Sequence, residues 1–185
     1  MKLARQLCLA VACILITATL ARSEVILTGY YGSAFSGTMP SSQPTYGGAI
    51  GFLAGGWFGA ETEYGYVKDF FGSTNANIGL THNKVQSFSG NMLLGVPLGP
   101  VRPYAAAGFS LLGANLTGAA GGAGLDSTTG GYNVGGGLFI WLGKNFGLRG
   151  DYRYFRTFGE VGNGASVGVG KLDFSRAIGG LTLRF

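Results

Sequence analysis

Five charged residues at alternate positions offer the most chemistry in this chain. Glu61 and Glu63 form one set, and Arg149, Asp151 and Arg153 form the other. In an extended strand a spacing of two places each set on a single face. Opposite charges on facing walls of a narrow space pair with one another, and a charge left alone there is strongly destabilising. The pattern predicts an internal ionic plug. Its functional counterpart is a gate, in which pairs exchange and let small ions through.

Other candidates carry less. Catalysis by a nucleophile and a base needs both within hydrogen-bond reach. The single histidine, His82 in Thr81-His82-Asn83, has no Ser or Cys beside it, and Ser87 and Ser89 are several residues away. His82 is expected in a solvated loop. The stretch Gly121-Gly122-Ala123-Gly124-Leu125-Asp126 matches the start of a calcium-binding nonapeptide, but such repeats share ions between stacked copies and only one copy is present. Gly168-Val169-Gly170-Lys171 has Ala165 where a phosphate loop needs its first Gly and Leu172 where it needs Ser or Thr. No catalytic, cofactor or metal site is therefore expected, and the chain is expected not to be an enzyme.

The N-terminus reads as a leader. Lys2 and Arg5 precede an apolar run from Leu7 to Leu20, and Ala21-Arg22-Ser23 supplies small residues for a signal peptidase. Residues 1–23 are expected to be a signal peptide, with cleavage before Glu24, or alternatively after Ala21. A lipoprotein reading through Cys13 would leave Ile14 to Leu20 on the mature chain and is discounted. Cys8 and Cys13 both lie in the leader, so the mature chain has no thiol, in keeping with export to an oxidising compartment. Removing Lys2, Arg5 and Arg22 leaves 10 basic and 8 acidic residues, a net charge of +2 against +5 for the whole chain. The basic balance then gives no reason to expect nucleic acid as a partner.

The charges must be positioned by strands. The chain has 36 glycines and 46% hydrophobic but only 11% charged residues. No second run approaches the roughly 20 apolar residues of a membrane helix. Apolar residues instead fall at every second position. Phe88, Met92, Leu94, Val96 and Leu98 oppose Ser87, Ser89 and Asn91; Phe58, Ala60, Tyr64 and Tyr66 oppose Glu61, Glu63 and Asp69. Tyr132, Val134, Leu138, Ile140 and Leu142 oppose Asn133, Gly135 and Gly137, and Phe146, Leu148, Tyr152 and Tyr154 oppose the Arg149 to Arg153 set. An Arg facing lipid at mid-depth costs about 2–4 kcal/mol, so Arg149, Asp151 and Arg153 are expected to point inward.

Between these segments the connections alternate. Gly55-Gly56, Gly99-Pro100 and Gly143-Lys144 are tight-turn sequences. Roughly residues 36–45, 71–84, 113–131 and 159–170 are long and rich in Gly, Ser, Thr and Asn. Short turns at one end and long loops at the other are the habit of transmembrane barrels. The expected fold over 24–185 is all-β, an eight-stranded antiparallel up-and-down transmembrane barrel. Its third and seventh strands lie across a bore just wide enough for side chains to fill. Trp57, Trp141, Phe146 and Phe185 at one level, with Phe35, Tyr46, Tyr66, Phe70, Tyr132 and Tyr154 at the other, are expected to form the headgroup belts.

The final strand ends in Leu181, Leu183 and Phe185 on one face. With Arg149-Gly150-Asp151-Tyr152-Arg153-Tyr154, this ending resembles small Gram-negative outer-membrane barrels of the OmpA/OmpX-like superfamily, the group called porin family or outer-membrane beta-barrel domain. The resemblance covers the mature chain. It implies residence in the outer membrane of a Gram-negative bacterium, a periplasmic N-terminus, outer-membrane lipids as surroundings and help from periplasmic chaperones. Leu181, Leu183 and Phe185 resemble the signal read by the barrel-assembly machinery. The fold does not dictate one activity. The reading is an envelope structural and surface-presenting barrel whose lumen is plugged by Glu61, Glu63, Arg149, Asp151 and Arg153. Alternatives are a small passive pore, a surface adhesin binding a host or surface ligand through its long loops, and a lipid-modifying enzyme.

Overall fold

A computed structural model of the chain describes residues 23–37, 41–68, 80–118, 125–161 and 169–185. Most of the expected leader and the Gly121 to Gly124 stretch lie outside them. The described residues form β1 (Ser23–Phe35), β2 (Gln43–Ala54), β3 (Phe58–Lys68), β4 (Leu80–Gly95), β5 (Val101–Gly118), β6 (Leu125–Trp141), β7 (Phe146–Val161) and β8 (Val169–Arg184). Each strand pairs antiparallel with the next, and β8 pairs back on β1 to close an up-and-down barrel. At the closing seam Val25 and Phe185 exchange backbone hydrogen bonds of 3.1 and 3.0 Å.

The tight turns depend on glycine. Gly55 and Gly56 both have positive φ, 59° and 77°, and Trp57 N–H bonds the Ala54 carbonyl at 3.2 Å. Two left-handed residues in succession give the turn whose twist matches a hairpin. At the next turn Gly99 alone is left-handed, with φ 69°, and precedes Pro100 while Leu98 and Val101 bridge.

At the opposite end the strands run further than the composition suggests. β5 continues to Gly118 and β6 starts at Leu125, so most of the expected 113–131 loop is hairpin ladder. β4 likewise begins at Leu80, which puts His82 on a strand in register with Thr117 and not in a loop. Polar and glycine-rich composition predicts a loop there. A ladder is held by backbone groups, however, and continues through residues whose side chains need no burial.

Period two sorts the wall into two faces. Outward lie Leu27, Ile50, Phe58, Phe88, Met92, Phe109, Leu111, Leu148 and Leu181, all well exposed. An apolar exterior of this extent suits hydrocarbon. Inward, the bore is filled in three layers. Next to the short turns sits an apolar cluster of Ile26, Leu53, Leu93, Tyr104, Ala106, Phe139 and Trp141. Near the long connections sits another, of Ala34, Val67, Val85, Leu112, Phe155, Leu172 and Phe174. The layer between them holds the buried polar and charged residues: on β4, Ser87, Ser89 and Asn91 separate Val85 from Leu93.

Trp141 is a correction. It was expected in a headgroup belt, yet it is 7% exposed and stacks on Phe139 at 5.9 Å and 11°. Ile140 and Leu142 face outward, so pleat parity turns the residue between them into the bore. Trp57, Phe146 and Phe185 remain exposed at that end, as does Tyr46 at the other.

Candidate functional site: the charged layer of the bore

Glu61 and Glu63 project inward from β3, and Arg149, Asp151 and Arg153 project inward from β7 on the facing wall; all five are buried. Glu61 stands between two guanidinium groups. Its Oε2 is 2.5 Å from Arg149 Nη1 and its Oε1 is 2.7 Å from Arg153 Nη2. Arg153 Nη1 also lies 3.1 Å from Glu63 Oε2, and its Nε lies 3.0 Å from Asp151 Oδ1. Arg153 thus touches three carboxylates. Asp151 completes the loop of charge by reaching Arg149 Nη2 at 3.2 Å.

A third cation belongs to the same layer. Arg176 on β8 places Nη2 2.5 Å from Glu63 Oε1, and Nη1 donates to the Tyr30 hydroxyl at 3.1 Å. The Tyr30 hydroxyl donates in turn to Glu63 Oε1 at 3.0 Å. Arg149 Nε donates to the Tyr104 hydroxyl at 2.7 Å, and that hydroxyl bonds Asp151. Three carboxylates therefore meet three guanidinium groups, and two tyrosines bridge unlike charges. Aromatic rings cover the guanidinium faces: Arg176 lies 5.0 Å from Tyr30 and 4.9 Å from Phe155, and Arg149 lies 5.1 Å from Tyr104 and 5.0 Å from Phe139. Such contacts strengthen where water is excluded.

Arg176, Tyr30 and Tyr104 do not stand out from composition, but a parity signal for each exists. Leu181 and Leu183 outward makes even positions of β8 face inward, Leu27 and Tyr31 do the same for Tyr30, and Phe109 and Leu111 for Tyr104. Glycine makes the space. A Cβ on Gly65 would come within 2.7 Å of Ser87 Oγ, 2.9 Å of the Tyr30 hydroxyl and 3.0 Å of Arg176 Nη1.

At the mouth beside the short turns a second, smaller set of charges meets. Glu24 of β1 pairs with Arg102 of β5 across the bore at 2.7 Å and with Arg184 of β8 across the seam at 3.4 Å. The Arg184 guanidinium lies 4.2 Å from the Trp141 ring.

The candidates for other chemistry are not brought together. Ser89 shares a 2.9 Å hydrogen bond with Ser110 inside the bore, seven positions along β4 from His82. At about 3.3 Å per residue that separation exceeds 20 Å. No cluster of residues suited to a metal occurs among the described residues. Leu181, Leu183 and Phe185 are exposed on the lipid-facing side of β8 and the chain end.

A family model described as outer membrane protein beta-barrel domain matches residues 7–185. The fold is similar to crystal structures of Neisserial surface protein A (TM-score 0.62, 20% identity, 88% of this chain and 97% of that one) and of the N-terminal barrel of Pseudomonas aeruginosa OprF (0.56, 20%, 88% and 97%). It is also similar to Ail, the attachment invasion locus protein of Yersinia pestis, in complex with the heparin analogue sucrose octasulfate (0.58, 13%, 88% and 98%). At these identities the likeness is one of fold. No curated protein matches the sequence.

Proposed function

This chain belongs to the outer membrane protein beta-barrel domain family, and from that premise we propose that it is a sealed, non-enzymatic barrel that strengthens the envelope and presents its long connections at the cell surface. One observation carries the sealed state: the neutral charged layer lies between two packed apolar clusters. An ion crossing the bore would have to displace both clusters as well as exchange the pairs. Apolar constrictions exclude water and ions by themselves, so this arrangement favours a plug over a gate.

Residues 1–23 act as the export leader in this reading. The mature chain then has the barrel-assembly machinery and periplasmic chaperones as passing partners and outer-membrane lipids as permanent ones. Leu181, Leu183 and Phe185, exposed at the last strand, are the residues the assembly machinery would read. Tags near Ser42, Asn75, Gly122 and Asn163 are expected to be reached by antibody on intact cells, and a tag at Gly99 is not. The reverse pattern would invert the topology.

Conductance in a planar bilayer tests the seal. Wild-type protein is expected to give no current steps, and Glu63→Gln is expected to stay silent because both apolar clusters survive it. Steps in the wild type would establish the pore reading, and steps only in Glu63→Gln would establish the gate.

A further inference from the structure

The mouth beside the short turns holds more cations than its one carboxylate neutralises. Among the described residues at that end, Glu24 is the single acidic side chain, and Arg102, Arg184 and Lys144 are basic. Glu24 takes Arg102 at Nη1 and Arg184 at Nη1. Two donors beside these pairs stay unused. Arg102 Nε and Trp141 Nε1 are buried with no hydrogen-bond partner among the described residues, and the residues that carry them are only 6% and 7% exposed. Both groups donate and neither accepts, so they cannot satisfy each other. A buried donor left without an acceptor is costly.

The two donors converge. Arg102 on β5 stands opposite Phe139 on β6, which puts Trp141 at the diagonal position of the same inward face, roughly 7–8 Å away and within reach of long side chains. A Cβ on Gly147 of β7 would come within 2.8 Å of Trp141 Cε3, so that edge of the indole lies toward β7. Nε1, on the other edge, is turned toward β5 and Arg102. A Cβ on Gly56 would meet Arg102 Nη2, Cζ and Nε at 3.1, 3.2 and 3.5 Å, which sets the β2–β3 turn over the flat face of the guanidinium and leaves its Nε edge clear. We propose that this mouth binds a small organic acid, its carboxylate held between Arg102 Nε and Trp141 Nε1, with Arg184 above the indole supplying the second positive charge. A carboxylate has two oxygens, one for each donor, and its charge balances the surplus that Glu24 leaves. Glu24 and Arg184, with side chains 27% and 22% exposed, form the side open to water. The site stands whichever way the barrel points.

The isotope-labelled chain without its leader, refolded in zwitterionic detergent micelles, tests this through its two indole N–H resonances. One belongs to Trp141 and the other to the exposed Trp57, and Trp57→Phe assigns them. Sodium acetate is the probe, replacing sodium chloride at constant ionic strength so that screening stays fixed. The Trp141 signal is expected to move downfield and saturate while that of Trp57 stays nearly still. Arg102→Lys, which keeps a charge facing Glu24 but removes the Nε–H, should weaken acetate about tenfold, as loss of a hydrogen bond to a charged group does. Glu24→Gln, which removes the internal competitor for the same cations, should tighten it about fivefold. A Trp141 signal that ignores acetate, an equal drift of both signals without saturation, or one affinity shared by wild type and Arg102→Lys would overturn the site. Weaker binding in Glu24→Gln would overturn it too, even should Arg102→Lys fail to fold.

Discussion

Two layers of one bore accommodate burial in different ways. The apolar layer around Leu53, Leu93 and Phe139 is held by contact area, and any side chain of similar size and apolarity serves it. The charged layer around Arg153 is held by pairing, and there a side chain of the same shape without the charge leaves a partner unsatisfied. Size decides one layer and charge decides the other.

The largest test of that contrast is Arg153→Gln, which removes the group touching Glu61, Glu63 and Asp151. Three buried carboxylates then face too few cations, and stability to urea in detergent micelles is expected to fall by about 3–5 kcal/mol. Glu61→Gln, nearly unchanged in volume, should come close to that loss. If it costs under about 1 kcal/mol, water reaches the layer and the contrast collapses.

Leu53→Ala in the apolar layer should cost about 3 kcal/mol through the cavity it leaves. Leu53→Met, which restores volume, should cost under about 1.5 kcal/mol. Equal losses for the two would mean that shape matters there as much as charge does above. The smallest effect is expected at the mouth. Glu24 pairs with Arg102 and Arg184, but its side chain is 27% exposed, so Glu24→Gln should lower stability by only about 1 kcal/mol. High salt should shrink that loss further while leaving the Arg153→Gln loss intact.

The barrel was legible because its exterior is repetitive. Phe88, Met92 and Leu94, and likewise Phe146, Leu148, Tyr152 and Tyr154, keep one parity with only Gly90 and Gly150 between them, and the double-glycine turn at Gly55-Gly56 marks a hairpin on its own. The inward face of Arg149, Asp151 and Arg153 followed from the cost of placing them in lipid. Arg176 stands as a lone charge between the inward apolar residues Phe174 and Ile178, so no run of alternating charge marks it, although the parity of Leu181 and Leu183 fixes where it points. Trp141 departs from the belt its residue type suggests because its position between the outward Ile140 and Leu142 decides where it points. The strand ends were short because polar composition says where side chains need no burial, not where backbone pairing stops.

The seam between β1 and β8 carries a consequence for how the chain reaches this state. Glu24 meets Arg184, and Thr28 meets Thr182, across separations of 160 and 154 residues. Until those ends join, the sheet has two unpaired edges, each able to recruit a strand from another molecule. Such distant pairing is slow, since loop-closure entropy is lost before the contacts repay it. Loss of β8 from the chain would therefore leave a sheet open on both sides and prone to aggregate, rather than a barrel with one stave missing.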